Sequence, residues 1–336
     1  MKKCGFILFL ISCLVLSGCA ARADDTPHRR TVFAMDTVMN LTAYGESGDK
    51  ALDAAERELH RLDALLARGT EGSAVYVLNR DGAVSDATVA HLLKESQEIS
   101  VLTGGAFDPT VAPVLELWGF GSGAGEHRVP TEAELSKALA YVDYQRIGVG
   151  EYNEVSLDLP AQLDLGGIAK GWAGERVRAE LMESGVKNAV VDLGGDVALL
   201  GQKPDGSNWR VAIKDPADGG AYLGVLETAG DRFIMTSGVY ERYFEENGVR
   251  YHHIIDPATG HPADSDVVSA TVICETGVWA DAMATACCVV GADAALSMRE
   301  ALSIDLILVT NYGRVLYTCD GFTPQTGNGY SYERVS

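Results

Sequence analysis

Two polar side chains in the apolar segment 277–290 have the types and the spacing of part of a magnesium site. The pattern of the segment predicts a helix, and Asp281 and Thr285 would then share one face, one turn apart. A carboxylate and a hydroxyl are oxygen ligands that suit Mg²⁺, and water, backbone carbonyls and a substrate phosphate can supply the rest. The same residues also fit an ordinary helix, because Asp is favoured near a helix start and Thr can bond to the preceding turn. Spacing alone leaves both interpretations open.

A second candidate feature is the glycine-rich stretch at residues 163–172. Its pattern predicts the end of a strand, a sharp corner at Gly166 and Gly167, and a helix behind the corner. Free N–H groups at the helix start, together with Lys170 in its first turn, suit an anionic group. Asp164 can accept a hydrogen bond from a base edge or a ribose hydroxyl. An ordinary strand-to-helix connection is the alternative.

The third candidate feature is a pair of histidines on a predicted strand that ends in a turn at residues 256–260. Because neighbouring residues on a strand face opposite ways, His252 and His253 cannot both enter one site. One His at a strand end beside a metal-held phosphate is suited to act as a general base, since its ordinary pKa lies close to neutral pH. The alternative is a histidine that is packed in the core or exposed at the surface and has no catalytic role.

The elements that must position these residues mix helices and strands without a regular βαβ alternation, which predicts an α+β fold. Amphipathic or apolar patterns predict helices at residues 49–68, 86–102, from 131 onward, to 182 after the glycine corner, 277–290 and 292–302. Strands are predicted at residues 31–44 with an interruption at 35–37, 146–150, 155–159, 188–200 with a bulge or tight bend at 192–196, 209–213, 224–227, 233–236, 251–255, 267–274, 306–310 and 315–318. Residues 73–79 are predicted as a loop.

Length and charge limit the classes of function. The chain has 336 residues, of which 47% are hydrophobic, so it can bury a sizeable core as one large domain or roughly two. Its 27 Lys and Arg against 47 Asp and Glu give a net charge of −20. No basic run is present, which argues against a nucleic-acid partner. A phosphate-bearing ligand must therefore be held by local groups, because the overall field repels it.

The N-terminal residues indicate export. Lys2 and Lys3 precede an apolar run at residues 6–16 that is too short to span a membrane as a mature helix. Residues 16–19 resemble the lipobox of bacterial lipoproteins, with cleavage before Cys19 and acylation there; a plain signal peptide is the alternative. We predict a signal peptide at 1–18, a lipidated tether at 19–30 and one folded domain at 31–336. The protein would then be extracytoplasmic and lipid-anchored to a bacterial membrane.

These motifs, with several others in the same order, resemble the ApbE family of flavin transferases. The blocks that carry the resemblance are residues 35–37, 107–111, 117–121, 163–172, 188–196, 236–243, 251–260 and 279–285. One departure is Asp36, where the family usually has Gly. The resemblance implies an α+β unit of two lobes with a flavin site between them, and residues 31–336 would form this flavin transferase domain.

The resemblance also implies roles for individual residues. FAD, as the substrate, would be contacted by Met35, Tyr76, Phe107, Asp108, Pro109, Asp164, Lys170 and Ile255. Mg²⁺ would be held by Asp281, Thr285 and the backbone carbonyl of Gly167. His253, the second histidine of the pair, would be the catalytic base.

The implied reaction is Mg²⁺-dependent transfer of the FMN moiety of FAD to a Thr or Ser hydroxyl of an acceptor protein, with release of AMP. Acceptors in this family are membrane electron-transfer proteins with an Asp-(Gly/Ala)-(Ser/Ala)-Thr-like motif. Two alternatives stay open at this point. One is a Mg²⁺-dependent FAD pyrophosphatase that yields FMN and AMP, and the other is a non-catalytic FAD-binding lipoprotein.

Overall fold

The computed structural model describes residues 26–121 and 125–335. The predicted signal peptide and the predicted lipidation site at Cys19 lie outside the described residues. Within those two ranges, no helix combines the length and the apolar character needed to cross a bilayer.

The described ranges contain seventeen strands, eight α-helices and one short 3₁₀ helix at Tyr144–Arg146. The strands are β1 Pro27–Ala34, β2 Thr37–Tyr44, β3 Ala83–Ser85, β4 Ile147–Val149, β5 Glu154–Leu157, β6 Ala189–Asp192, β7 Val197–Leu200, β8 Trp209–Lys214, β9 Tyr222–Thr228, β10 Phe233–Gly238, β11 Tyr243–Glu246, β12 Val249–His252, β13 Val267–Cys274, β14 Asp305–Thr310, β15 Arg314–Tyr317, β16 Phe322–Pro324 and β17 Ser331–Arg334. The helices are α1 Gly48–Leu66, α2 Ala74–Asp81, α3 Ala87–Leu102, α4 Ala112–Trp118, α5 Glu132–Leu139, α6 Ala169–Glu183, α7 Gly277–Val290 and α8 Ala292–Leu302.

A large sheet of nine described strands organises the molecule, in the order β1-β2-β6-β7-β10-β13-β14-β15-β17. Its neighbouring strands are antiparallel except for the parallel pair β15 and β17. Successive side chains of a strand face opposite sides, so β10 contributes Phe233 and Met235 to one apolar core and Ile234 to another. Helices α1, α6 and α7 contribute to the first core, and the three-stranded sheet β16-β9-β8 contributes to the second.

Helix α7 is apolar on nearly all sides, and this pattern is typical of a helix enclosed by other elements. It packs against β10, β13 and α6. The contact with α6 requires glycine, because a Cβ on Gly171 would overlap the carbonyl oxygen of Gly277. This close approach of two backbones places the start of α6 directly beside Asp281.

A second lobe surrounds a smaller aromatic core around Trp118 on α4. The rings of Phe244 and Tyr251 on the hairpin β11–β12 pack against that indole, with centroids 6.4 and 5.2 Å away. The indole Nε1 donates to the carbonyl oxygen of Gly260 at 2.8 Å. This bond ties α4 to the turn that follows the histidine pair.

The structure confirms the α+β fold and the long helices, and it corrects several local assignments. Residues 73–79, predicted as a loop, begin helix α2, because the Ser73 side chain accepts from the Tyr76 N–H at 3.0 Å and caps the helix. The predicted strand at 188–200 is the hairpin β6–β7, so its tight bend is a full reversal. Before the glycine corner there is only a single bridge at Gln162, instead of a strand end.

The predicted strand at 31–44 is also a hairpin. Its turn consists of Met35 and Asp36, which both adopt left-handed backbone angles, with φ of 51° and 58°. Strand β1 begins at Pro27, so the folded domain starts before residue 31 and residues 27–30 are not tether. The short strands β3, β11, β16 and β17 were not predicted, because they lack a long alternating pattern.

Candidate active site

A cleft of about 350 Å³ lies between the turn of the hairpin β1–β2, the glycine corner, the segment after β12 and helix α7. It brings together residues that are far apart in the chain. Its lining includes most of the predicted site residues: Met35, Phe107, Asp108, Asp164, Gly167, Lys170, His253, Ile255, Asp281 and Thr285.

The two α7 residues lie one turn apart in the cleft, as their spacing predicted. Asp281 is only 4% exposed, and its Oδ2 accepts from the Gly171 N–H at 2.8 Å. Burial raises the pKa of Asp281 to about 6, although the nearby charge of Lys170 opposes the shift. The N–H of Gly171, in the first turn of α6, is thus already bonded to Asp281. The expectation that the N–H groups at this helix start are all free for an external anion was therefore wrong for Gly171.

The glycine corner reaches the same place. A Cβ on Gly167 would lie 3.4 Å from Thr285 Oγ1 and 3.3 Å from the ring of Phe107, so a side chain there would crowd both. The corner is fixed from the other side by Asp164, whose Oδ1 accepts from the Gly166 N–H at 2.8 Å. The backbone of residue 167 and the Thr285 hydroxyl are therefore close neighbours.

Lys170 is paired inside the protein. Its ammonium forms an ion pair with Asp196, which is 2% exposed and also accepts from the Thr236 N–H at 2.7 Å. Burial by itself would lower the pKa of Lys170, but the carboxylates of Asp196 and Asp281 raise it above its ordinary value. The side chain stays charged and joins α6 to the turn between β6 and β7.

The two histidines lie in different places, as predicted, but β12 ends at His252, so the predicted strand at 251–255 stops before His253. His252 is buried outside the cleft, with Nε2 3.2 Å from the carbonyl oxygen of Ala263, whereas His253 lines the cleft. The Nδ1 of His253 lies 3.2 Å from the carbonyl oxygen of Arg242. Because a carbonyl oxygen can only accept, Nδ1 carries the hydrogen and Nε2 keeps its lone pair. Burial and the Arg242 charge lower the pKa of His253 to about 3, so the imidazole is neutral at neutral pH.

Comparison with known proteins assigns the family. Residues 35–308 match the model of the ApbE family. The chain belongs to the ApbE family. The relative from Vibrio cholerae named FAD:protein FMN transferase is 33% identical over 335 residues, which cover 95% of this chain and 98% of the relative. A relative of the same name from Klebsiella pneumoniae is 35% identical over 299 residues, which cover 86% of this chain and 90% of the relative.

Solved structures of ApbE proteins have the same fold. The crystal structure of the ApbE protein from Thermotoga maritima matches with a TM-score of 0.80 at 32% identity, covering 86% of this chain and 96% of that one. The structure of the flavin transferase ApbE from Vibrio cholerae matches with a TM-score of 0.74 at 30% identity, and the match covers 91% of this chain and 98% of that one.

Three residues predicted to contact FAD also make contacts within the protein, and of these only Asp108 lines the cleft. The Asp108 carboxylate accepts from the N–H and hydroxyl of Thr110, at 2.7 and 2.6 Å, and from the Tyr144 N–H at 3.0 Å. Tyr76 and Pro109 are both described, and neither is part of the cleft lining. Tyr76 lies on α2 beneath the Arg80 guanidinium. The carbonyl of Pro109 accepts from the Asp164 N–H at 2.8 Å and so positions Asp164.

Other polar residues of this ApbE cleft were not predicted as site residues. Asp196 holds Lys170, Ser237 Oγ lies 3.1 Å from Thr285 Oγ1, and the Arg242 guanidinium donates to the carbonyl oxygen of Phe120 at 2.6 Å. Ser237 and Arg242 line the cleft, whereas Asp196 lies behind Lys170. These three residues lie in the blocks 188–196 and 236–243, which carried the family resemblance. Membership in those blocks was the sequence signal that could have identified them.

Proposed function

We propose that this chain transfers the FMN moiety of FAD to a Thr or Ser hydroxyl of an acceptor protein and releases AMP. The curated relatives named FAD:protein FMN transferase support this reaction. The structural observation that supports it best is the convergence of three features in one cleft: a neutral His253, the oxygen ligands of α7 and the glycine corner. A catalytic base and a hard-cation site side by side are what phosphoryl transfer to a hydroxyl requires.

We also propose that Asp281, Thr285 and the backbone carbonyl of Gly167 hold Mg²⁺. A carboxylate, a hydroxyl and a carbonyl form an all-oxygen set, which suits this ion. The ammonium of Lys170 forms its ion pair with Asp196, its charge also acts on the buried carboxylate of Asp281, and Glu241 adds a further carboxyl group to the cleft lining. When bound, Mg²⁺ would offset charge on the pyrophosphate.

Mg²⁺ affinity should depend on the substrate. Within residues 26–121 and 125–335, no group of three or more His, Cys, Asp or Glu side chains could hold a metal ion together. The remaining ligands would then be water and phosphate oxygens of FAD. We therefore expect Mg²⁺ and FAD to bind more tightly together than either does alone.

His253 acts as the general base in this proposal. Its Nδ1–H is held by the carbonyl of Arg242, which leaves Nε2 to accept the proton of the acceptor hydroxyl. The hydroxyl oxygen then forms a bond to the FMN-side phosphorus, and the bond from that phosphorus to the bridging oxygen of the pyrophosphate breaks. AMP leaves with the bridging oxygen. The cations Lys170 and Arg242 line the same cleft, where Lys170 pairs with Asp196 and Arg242 donates to the carbonyl oxygen of Phe120, and their positive charge favours the phosphates.

The remaining FAD contacts and the cellular setting are part of the proposal. Met35, Phe107, Asp164 and Ile255 line the cleft and are proposed to contact FAD. We propose that the protein acts outside the cytoplasm, held to a membrane by lipid on Cys19. The acceptor would be a membrane electron-transfer protein with an Asp-(Gly/Ala)-(Ser/Ala)-Thr-like motif. The lipobox-like residues 16–19 support this location.

The test uses the soluble protein from Ala20 onward with FAD, Mg²⁺ and a purified acceptor domain that carries the Thr motif. Mass spectrometry follows the acceptor, and chromatography follows AMP and FMN. We expect the acceptor to gain one FMN phosphoester for each AMP released, and His253→Ala to abolish both products. His60→Ala, on the exposed side of α1, is the matched control and should behave like the wild type.

Two other outcomes would contradict the proposal. AMP and free FMN with an unmodified acceptor would indicate a pyrophosphatase. Bound FAD without either product would indicate a flavin carrier. Repeating the reaction with EDTA tests the metal, because product formation should stop when Mg²⁺ is removed.

A further inference from the structure

The side chain of Arg68 joins three parts of the molecule behind the cleft. Arg68 follows helix α1, and its side chain is only 10% exposed. Its Nε lies 3.3 Å from Oδ2 of Asp164 at the glycine corner, and its Nη2 forms an ion pair with the Glu116 carboxylate on α4. A Cβ on Gly121 would overlap this ion pair, so the backbone packs closely against it. One buried cation thus connects the end of α1, the glycine corner and the second lobe.

Asp164 lines the cleft, and both of its carboxylate oxygens have partners within the protein. Oδ1 accepts from the Gly166 N–H at 2.8 Å, and Oδ2 lies beside the Nε of Arg68. Each oxygen of an ionised carboxylate has two lone pairs, so each can accept a further hydrogen bond. The carboxylate is therefore held in one orientation and can still accept from a donor in the cleft. The adenine amino group and the sugar hydroxyls of FAD are such donors.

The connection between α1 and α2 also holds the backbone just before the glycine corner. The side-chain amide of Asn79, on α2, donates to the carbonyl oxygen of Leu163 at 2.9 Å, and its oxygen accepts from the Leu163 N–H at 2.7 Å. The connection itself is fixed next to Arg68, because Ser73 Oγ donates to the carbonyl oxygen of Ala67 at 2.7 Å. Residues 163 and 164 are thus positioned by two side chains of one short segment of the chain.

We propose that Arg68 is a positioning residue for FAD, which orients the Asp164 carboxylate in the cleft. This inference rests on the proposed function, in which Asp164 contacts FAD. A buried ion pair adds little net stability, because the cost of removing both charges from water offsets their attraction. The fold alone therefore gains little from a charge at residue 68, whereas a hydrogen-bond acceptor for FAD gains a fixed direction. Arg suits this role, because its donors point in fixed directions within one plane.

Direct contact between Arg68 and the phosphates of FAD is the other explanation, and the geometry disfavours it. Arg68 is not part of the cleft lining, whereas the cations Lys170 and Arg242 are. Two donor nitrogens of Arg68 already lie against carboxylates. Its effect on FAD must therefore pass through Asp164.

The test measures FAD binding by titration calorimetry with Mg²⁺ present and no acceptor. We expect Arg68→Met to raise the Kd for FAD about 10-fold or more, because the Asp164 carboxylate loses the group that orients it. Arg68→Lys should raise the Kd less, since an ammonium restores the charge but not the planar set of donors. Arg61→Met is the matched control, because Arg61 pairs with Glu58 within α1 and should leave the Kd unchanged.

A double-mutant cycle separates positioning from general support of the fold. Asp164→Asn should weaken FAD binding by itself. Adding Arg68→Met should then cause little further loss, because Arg68 acts through the carboxylate that has already been replaced. Two losses that multiply would overturn the proposal. Urea unfolding checks that each variant is folded, and if Arg68→Met is not, the same cycle with Arg68→Lys decides the question.

Steady-state kinetics separate this proposal from the proposed reaction. In the transfer assay, Arg68→Met should raise the KM for FAD and leave kcat unchanged, whereas a lower kcat at an unchanged KM would overturn the positioning role. Weaker FAD binding by Arg68→Met would support that role even if the wild type never transferred FMN. Transfer by the wild type, together with an unchanged Kd for FAD in both Arg68 variants, would overturn the positioning role and leave the proposed reaction intact.

Discussion

The two faces of the nine-stranded sheet bury different kinds of side chain. The face towards α6 and α7 ends in the cleft, where Asp281 is 4% exposed, and Asp196, which is 2% exposed, pairs with Lys170 behind the cleft lining. The opposite face packs Ile234 and Ile273 against side chains such as Leu226 of the three-stranded sheet. Burying a carboxylate away from water destabilises the folded state, whereas burying apolar area stabilises it. The face towards α6 and α7 thus carries the site carboxylates in addition to the larger of the two apolar cores, whereas the opposite face carries a smaller apolar core apart from the cleft.

The largest expected effect is at the cleft. Asp281→Asn should lower the rate of FMN transfer about 10³-fold, since it removes the charge proposed to hold Mg²⁺. The free energy of unfolding should stay the same or rise, because the Asn oxygen can still accept from the Gly171 N–H without the cost of a buried charge. AMP release and urea unfolding measure the two quantities. A large loss of stability would show that the cleft carboxylate also supports the fold.

The converse experiment is on the opposite face. Leu226 is 1% exposed, and Leu226→Ala should lower the free energy of unfolding by about 3 kcal/mol, because it leaves a cavity. The transfer rate of the folded fraction should not change. Leu102→Ala is the matched control, since Leu102 is 49% exposed and should lose little stability. Loss of activity at temperatures where Leu226→Ala is folded would mean that the two faces are coupled.

A smaller effect is expected from the hydroxyl of Thr285. Thr285→Val keeps the shape of the side chain but removes an oxygen proposed to bind Mg²⁺, so the transfer rate should fall about 10- to 100-fold. Thr285→Ser keeps the hydroxyl and should retain most activity. Raising the Mg²⁺ concentration should partly restore the Val variant. Equal activity of the Val and Ser variants would remove Thr285 from the metal site.

The smallest effect is the pH dependence of stability. Since burial lowers the pKa of His253 in the folded state, the unfolded chain binds its proton first as the pH falls. The contribution of His253 to the free energy of unfolding is complete above about pH 6.5 and decreases towards about pH 3. His253→Gln should therefore lose less stability than the wild type between about pH 7 and about pH 5. A matching loss in both proteins would show that His253 is protonated in the folded state.

Much of the candidate site could be predicted from local patterns. The spacing of Asp281 and Thr285 placed both on one side of a helix, and the expectation that only one of His252 and His253 enters the site was correct, although His253 lies just after the end of β12. Both predictions use the periods of regular backbone, 3.6 residues per turn in a helix and 2 residues in a strand, and such periods can be recognised from residues close together in the sequence. The same reasoning located an interruption at residues 35–37 but missed the chain reversal there, because left-handed angles at Met35 and Asp36 have no strong sequence signal.

The sequence by itself determined the α+β class, the long helices and the family, because periodic patterns and ordered motifs lie along the chain. Only the tertiary structure decided which polar groups meet. Lys170 pairs with Asp196 and Arg242 bonds to Phe120, across 26 and 122 residues of sequence. Asp108, which is predicted to contact FAD and lines the cleft, also binds Thr110 and Tyr144 through its carboxylate. Such pairings depend on how elements distant in the chain pack, and no local period encodes that.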